Sequence, residues 1–180
     1  MIPGWAWVDT GLTAEECALL VKYGVASLEA AGTACKDEGK RQGKVSWFLK
    51  GQEPAIDPLI QKAVDAFGFA VESFFAPWHL TAIEPIQYTH YESGDFYGWH
   101  YDSIASTTKR PRHYSASVEL SDPDTYKGGG LEFHETIDQP IPERKLGRLI
   151  VFPSLLLHRA RKVQSGTRSS LVLWGQAIYE

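Results

Sequence analysis

The chain carries six histidines, His79, His90, His100, His113, His134 and His158. His100 opens the triplet His100-Tyr101-Asp102 at the end of a stretch that reads as a β-strand. Residues two apart on a strand point to the same face, so this imidazole and carboxylate converge on one point. His158 closes the most apolar run of the chain, Leu149-Ile150-Val151-Phe152-Pro153-Ser154-Leu155-Leu156-Leu157. A polar side chain there is either a hydrogen-bonded core histidine or a ligand. Two histidines and one carboxylate are the donor set that leaves a face of non-haem Fe(II) open, and zinc accepts the same atoms, so donor identity does not separate the metals. Arg168 lies ten positions beyond His158. Its planar guanidinium grips a carboxylate through two parallel bonds and is costly to bury without an anion. Gln164-Ser165-Gly166 has the composition of a hairpin loop, which predicts that the flanking strands pair antiparallel and set His158 and Arg168 side by side, roughly 13 Å apart between backbones. Two inward side chains and a short diacid close such a gap. The prediction needs a three-residue loop, because a slip of one residue turns every side chain to the other face.

Two helices and about eight short strands are expected to hold these residues. Thr13-Ala14-Glu15-Glu16 has the capping-box pattern ahead of Cys17, Leu20, Val21 and Leu28, predicting a helix that runs to about Ala31 and stops at Gly32. Asp57-Pro58 predicts a second start, a capping side chain followed by proline, with Leu59, Ile60, Ala63, Val64, Phe67, Val71 and Phe74 at helical spacing. Between them, Lys36 to Lys44 is charged and reads as an exposed loop before a short strand at Val45 to Leu49. From His79 onward, short β-branched and aromatic runs bounded by Gly, Pro, Asp or Ser predict strands at 79–83, 86–91, 97–101, 114–120, 130–134, 148–152, 155–163 and 168–178. Tyr114, Ala116, Val118 and Leu120 alternate with Ser115, Ser117 and Glu119, the signature of a strand with one apolar face. The expected fold is α+β: a double-sheet jelly roll or barrel with N-terminal helices packed on one sheet, in one domain over 1–180, helical support over 1–78 and strands over 79–180.

Composition narrows the function classes. With 180 residues, 43% apolar and 22% charged, the chain matches ordinary globular proteins rather than disordered or coiled-coil ones. The formal charge of −4 supplies no basic field for nucleic acid, although Lys109-Arg110-Pro111-Arg112 is a local basic patch. Cys17 and Cys35 have no paired spacing, which argues against a disulfide framework or thiolate zinc and favours a reducing cytoplasm. The N-terminus has no signal-peptide pattern, and no apolar run is long enough to predict a membrane span. Aromatic residues crowd one segment, Tyr88, Tyr91, Phe96, Tyr97, Trp99 and Tyr101.

The segment Tyr91-Glu92-Ser93-Gly94-Asp95-Phe96-Tyr97-Gly98-Trp99-His100-Tyr101-Asp102 closely resembles the Y-x-x-G-x-x-Y-x-x-H-x-D segment of prolyl 4-hydroxylase-like Fe(II)/2-oxoglutarate dioxygenases. Tyr114 to Asp122, Gly128-Gly129-Gly130-Leu131-Glu132-Phe133, Gly147 to Ser154, His158 and Gly166-Thr167-Arg168-Ser169-Ser170-Leu171 are similar to later blocks of that family, particularly its bacterial PKHD-type branch. The resemblance covers about 82–178 and extends loosely to the N-terminal helices and to Arg41 to Trp47. It implies a double-stranded β-helix in which His100, Asp102 and His158 hold Fe(II) and Arg168 binds the distal carboxylate of 2-oxoglutarate. It also implies that Tyr91 lines the cosubstrate pocket and that Tyr97 stands nearer the substrate. The implied reaction consumes 2-oxoglutarate and O2, releases succinate and CO2, and hydroxylates a prolyl residue of a peptide or protein. The alternatives are a hydroxylase of a free amino acid or other small molecule, and a non-catalytic β-helix binding module. Substrate choice is expected in the segments 36–55, 103–113 and 121–130, while His90, His113 and His134 are expected on the surface or in the core.

Overall fold

A computed structural model describes residues 4–30, 40–49, 51–103, 111–134 and 141–179. In chain order its elements are β1 (Ala6–Asp9), α1 (Ala14–Val25), β2 (Glu29–Ala30), β3 (Arg41–Gln42), β4 (Lys44–Phe48), α2 (Asp57–Phe74), β5 (Trp78–Ile83), β6 (Ile86–Tyr91), β7 (Phe96–His100), β8 (Tyr114–Glu119), β9 (Lys127–Gly128), β10 (Leu131–Phe133), β11 (Arg148–Pro153), β12 (His158–Ala160), β13 (Val163–Ser165) and β14 (Arg168–Tyr179). The major sheet runs β1-β11-β8-β14-β6-β4-β2, with β5 also paired to β14. Facing it is a minor sheet, β10-β12-β7-β3, and β13 pairs with β9 apart from both. Among the described residues no helix is long and apolar enough to cross a membrane.

The alternation along the central strands explains why this sheet buries both faces. Tyr114, Ala116, Val118 and Leu120 join Tyr88, Leu171 and Leu173 in the core under the helices. Ser115, Ser117 and Glu119 point the other way and are buried too. The period-two pattern is as expected, but its polar face meets the minor sheet rather than water. Helix α2 packs on β1, β5, β8 and β11, and α1 on β4 and β6. Ala63, Phe67, Ala70 and Val71, spaced three and four apart, form the buried stripe of α2. Phe74, expected in that stripe, is half-exposed, and Phe75 takes the core position instead.

Several expectations change. The capping box forms: the Thr13 hydroxyl accepts from the Glu16 N–H at 3.2 Å, and the Glu16 carboxylate from the Thr13 N–H at 2.9 Å. Helix α1, however, ends at Val25 rather than near Ala31, and Glu29 pairs with Val45 at the sheet edge. Ladder bonds to β4 outcompete one more helical turn, and Gly24 marks the place because a Cβ there would collide with the Tyr88 ring. Asp57 is the first helical residue rather than the cap, and its carboxylate accepts from the Gly51 N–H at 3.1 Å. The segment read as a loop before Val45 contains β3, and its residues 36–39 lie outside the described residues. The first 78 residues therefore add four strands to the two helices.

The largest correction concerns the expected hairpin of 155–163 with 168–178. The first stretch divides into β12 and β13, which pair with β7 and β10 and with β9, whereas β14 pairs with β5, β6 and β8. The loop containing Gly166 is a crossover between sheets. Gly166 has φ +77°, and a Cβ on it would come within 2.9 Å of the Tyr126 backbone, so that close approach admits only glycine. Loop composition signals a reversal but not the partner of the strand that follows.

Candidate active site

The register of the minor sheet assembles the first three candidates. His100, last in β7, is the cross-strand partner of His158, first in β12. Asp102 follows two residues on, its N–H donating to the Ser154 carbonyl at 3.0 Å. The Asp102 oxygens lie 3.5 Å from each histidine, Oδ1 from His100 Nε2 and Oδ2 from His158 Nε2. One ligand atom from each residue falls within 4.8 Å of the others. The opposite ring nitrogens are tied back: His100 Nδ1 to the Gly98 carbonyl and His158 Nδ1 to the Leu156 carbonyl, both at 2.8 Å. A carbonyl only accepts, so each Nδ1 carries the proton and each Nε2 presents a lone pair to the shared point.

Charge states agree with that geometry. Burial pushes the His158 pKa down, favouring neutral imidazole. Burial alone would raise the Asp102 pKa, but the flanking His158 and His100, whenever a ring takes up a second proton, outweigh it and hold the carboxyl well below the usual carboxylate range, so the carboxylate keeps its charge. The apolar surroundings come from the Phe152 ring, 4.6 Å from that of His158, and from Tyr97, stacked on His100 at 3.5 Å between ring centres. Two neutral nitrogens and one carboxylate oxygen, with their second nitrogens already bonded, fit a divalent first-row metal.

Arg168 reaches the same pocket from the major sheet. It is 5% exposed and is the cross-strand partner of Tyr91, and both line the pocket with the three residues above. Burial opposes its charge, but the Glu119 carboxylate, accepting from Nε at 3.0 Å, holds its pKa above the ordinary arginine value. Gly129 braces the stem: with φ +69°, it sits where a Cβ would come 3.1 Å from Arg168 Cδ. His158 and Arg168 thus do meet at one pocket, across the space between two sheets rather than along one.

Residues not expected at the site follow from the same periodicity. Gln87 and Thr89 precede Tyr91 at steps of two, and Ser170, Val172 and Trp174 follow Arg168 likewise, and all line the pocket. Thr89 and Ser170 bond to each other at 2.6 Å. Arg41 also lines the pocket, donating from Nη2 to Gln87 Oε1 at 2.9 Å and lying 4.6 Å over the Tyr97 ring. At the rim, Arg112 grips Glu84 through two bonds of 2.9 and 2.6 Å and lies 3.9 Å over Trp174, whose other neighbour is Trp47 at 6.2 Å. Arg112 belongs to the basic patch, whose residues Lys109 and Arg110 lie outside the described residues. The remaining histidines stand elsewhere: His113 accepts from the Ala177 N–H at 2.9 Å, His90 sits 3.3 Å from Tyr88 and Ser169 hydroxyls, and His134 meets the Trp99 ring edge-on.

Comparison with known proteins agrees with the donor set. The model of the 2OG-Fe(II) oxygenase superfamily matches residues 86–176. A PKHD-type hydroxylase of Shewanella sp. (strain ANA-3) is 32% identical over 110 residues, covering 57% of this chain and 49% of that protein. A PKHD-type hydroxylase of Xylella fastidiosa (strain M23) is 31% identical over 146 residues, covering 76% and 63%. The chain therefore spans about half to two-thirds of the length of these curated relatives. Among solved structures, a Pseudomonas putida prolyl-4-hydroxylase superposes with a TM-score of 0.74 at 24% identity, covering 97% of this chain and 92% of that one. A prolyl hydroxylase from Trichoplax adhaerens, in complex with a hypoxia inducible factor oxygen degradation domain peptide fragment, gives 0.72 at 17%, covering 96% and 83%. These two share the fold, a prolyl hydroxylase-like double-stranded β-helix. The family match begins with β6 and ends within β14, taking in the strands that carry His100, Asp102, His158 and Arg168, and the chain belongs to the 2OG-Fe(II) oxygenase superfamily.

Proposed function

We propose that this protein is an Fe(II)- and 2-oxoglutarate-dependent dioxygenase that hydroxylates an unactivated C–H bond of a prolyl residue in a peptide or protein, with release of succinate and CO2. The observation that carries the proposal is the placing of the His100, Asp102, His158 cluster and the buried Arg168 on opposite walls of one pocket. The iron centre with its cosubstrates would supply the oxidising power; the chain supplies position, charge and dryness.

His100 and His158 give neutral nitrogens whose orientation is held by the Gly98 and Leu156 carbonyls. Asp102 gives the negative charge that a divalent cation requires. Arg168 takes the distal carboxylate of 2-oxoglutarate, with Tyr91 beside it on the neighbouring strand. Tyr97 and Phe152 pack against the two imidazoles and keep water from the reacting atoms. Trp47, exposed beside the Trp174 ring that Arg112 covers, offers an aromatic surface on which a prolyl ring would pack. The peptide held by the Trichoplax relative supports a peptide substrate, and the PKHD-type relatives support hydroxylation. Unpaired cysteine spacing supports work in a reducing cytoplasm.

The test is anaerobic binding of Fe(II) and 2-oxoglutarate followed by succinate measurement on exposure to O2, wild type against His100→Ala. Succinate from the wild type alone is expected; equal yield from the variant, or no 2-oxoglutarate binding by the wild type, refutes the proposal. Proline-rich peptides assayed beside free proline then separate a peptidyl from a small-molecule substrate.

A further inference from the structure

The Arg168 guanidinium is not a bare cation. Its Nε donates to Glu119 Oε2 at 3.0 Å, and both residues are almost fully buried, at 5% and 6% exposure. Glu119 is the last residue of β8, on the inward face that otherwise carries the small hydroxyls Ser115 and Ser117. Its second oxygen, Oε1, is buried and has no hydrogen-bond partner among the described residues. Arg168 lines the pocket of the His100, Asp102, His158 cluster; both partners line a smaller cleft behind it, beside Arg144 and Arg148. A carboxylate with half its bonding capacity unused is a costly thing to bury, so its presence is not explained by economy of packing.

Two consequences follow for a ligand carboxylate arriving from the pocket side. The Nε side of the fork is already taken, which holds the guanidinium in one orientation. The charge offered is also largely cancelled, because an anion attracted by Arg168 is repelled by Glu119 only one side chain further away. We propose that Glu119 is the positioning and specificity-determining residue of the cosubstrate anchor: it holds Arg168 in place and weakens its grip on a dicarboxylate, so that occupancy follows 2-oxoglutarate concentration rather than saturating at trace levels. This rests on the function proposed above.

The test is direct calorimetric binding of 2-oxoglutarate to Mn(II)-loaded protein, wild type against Glu119→Gln, with 2-oxovalerate, which lacks the distal carboxylate, as control ligand. Glutamine keeps the shape and a carbonyl acceptor for Nε but removes the charge. The variant is expected to bind 2-oxoglutarate about tenfold tighter, with 2-oxovalerate and Mn(II) affinities unchanged. It should also melt lower when free and gain more from added 2-oxoglutarate, because the ligand becomes the counter-ion of Arg168. A purely structural ion pair would lower the melting temperature and leave ligand affinity unmoved. If Glu119→Gln does not fold, the wild type alone decides: it should prefer 2-oxoglutarate to 2-oxovalerate by less than about a hundredfold, whereas a lone buried arginine making two charged bonds gives about a hundredfold or more. Wild-type binding with no tightening in the variant, or a preference above that limit, overturns the role of Glu119 alone. No 2-oxoglutarate binding by the wild type overturns the function as well.

Discussion

Replacing Arg168 by methionine separates the two things that residue does. Methionine keeps an unbranched stem against Gly129 but removes the guanidinium, leaving Glu119 buried at 6% exposure with its partner gone. Removing one member of a buried pair costs about 3–5 kcal/mol. For a chain of this length each kcal/mol lowers the melting temperature by about 2–4 °C, so a fall of roughly 6–20 °C is expected. The same change removes the guanidinium that would hold the distal carboxylate of 2-oxoglutarate, a grip that Glu119 already weakens, and affinity should fall at least about tenfold. The double variant Arg168→Met with Glu119→Leu buries no charge and should recover most of the stability, as apolar replacement of buried pairs does, yet none of the ligand binding. Thermal denaturation followed by circular dichroism and calorimetry on Mn(II)-loaded protein read the two effects separately. Mn(II) affinity should stay near the wild-type value in both variants. Wild-type-like 2-oxoglutarate binding by the double variant would refute the anchor; a double variant no more stable than the single one would refute the buried pair.

Other predictions follow from the same geometry. Asp102→Ala removes a ligand outright and should weaken Mn(II) binding by more than about a hundredfold, beyond the effect of losing an outer hydrogen bond, as read by electron paramagnetic resonance titration. Gly129→Ala introduces strain at φ +69° and presses on Arg168 Cδ and Val163, and should cost about 1–3 kcal/mol in chemical denaturation while weakening 2-oxoglutarate more than metal binding. Burial pushes the Cys17 thiol up to about 11, so in a Cys35→Ser background it should resist iodoacetamide at pH 8 until the protein is unfolded; rapid native labelling would contradict its burial. Burial pushes His90 below its ordinary value of 6.5. The unfolded chain then takes up that proton first, so the stability His90 contributes is present above about pH 6.5 and is lost as pH falls, and His90→Gln should flatten the decline between pH 7 and 5.

What the sequence determined by itself is local. The His-x-Asp triplet, the histidine closing an apolar run, the capping box and the period-two strands are each made of residues only a few positions apart, and strand periodicity sets which side chains share a face. That is why the pairing of His100 with Asp102 and most strand positions follow from the order of residues alone, whereas His158 joins them only through the register of β12 on β7. Which strand pairs with which is a contest among distant segments, decided by total burial and ladder hydrogen bonds. Tertiary structure therefore decided that the Gly166 loop crosses between sheets instead of closing a hairpin, that α1 yields its last turn to the sheet edge at Glu29, and that Arg41 reaches the Tyr97 ring. It also decided that the polar face of β8 is buried. Alternation in the sequence marks Glu119 only as polar; the closing of two sheets over it, against Arg168, makes it part of the site.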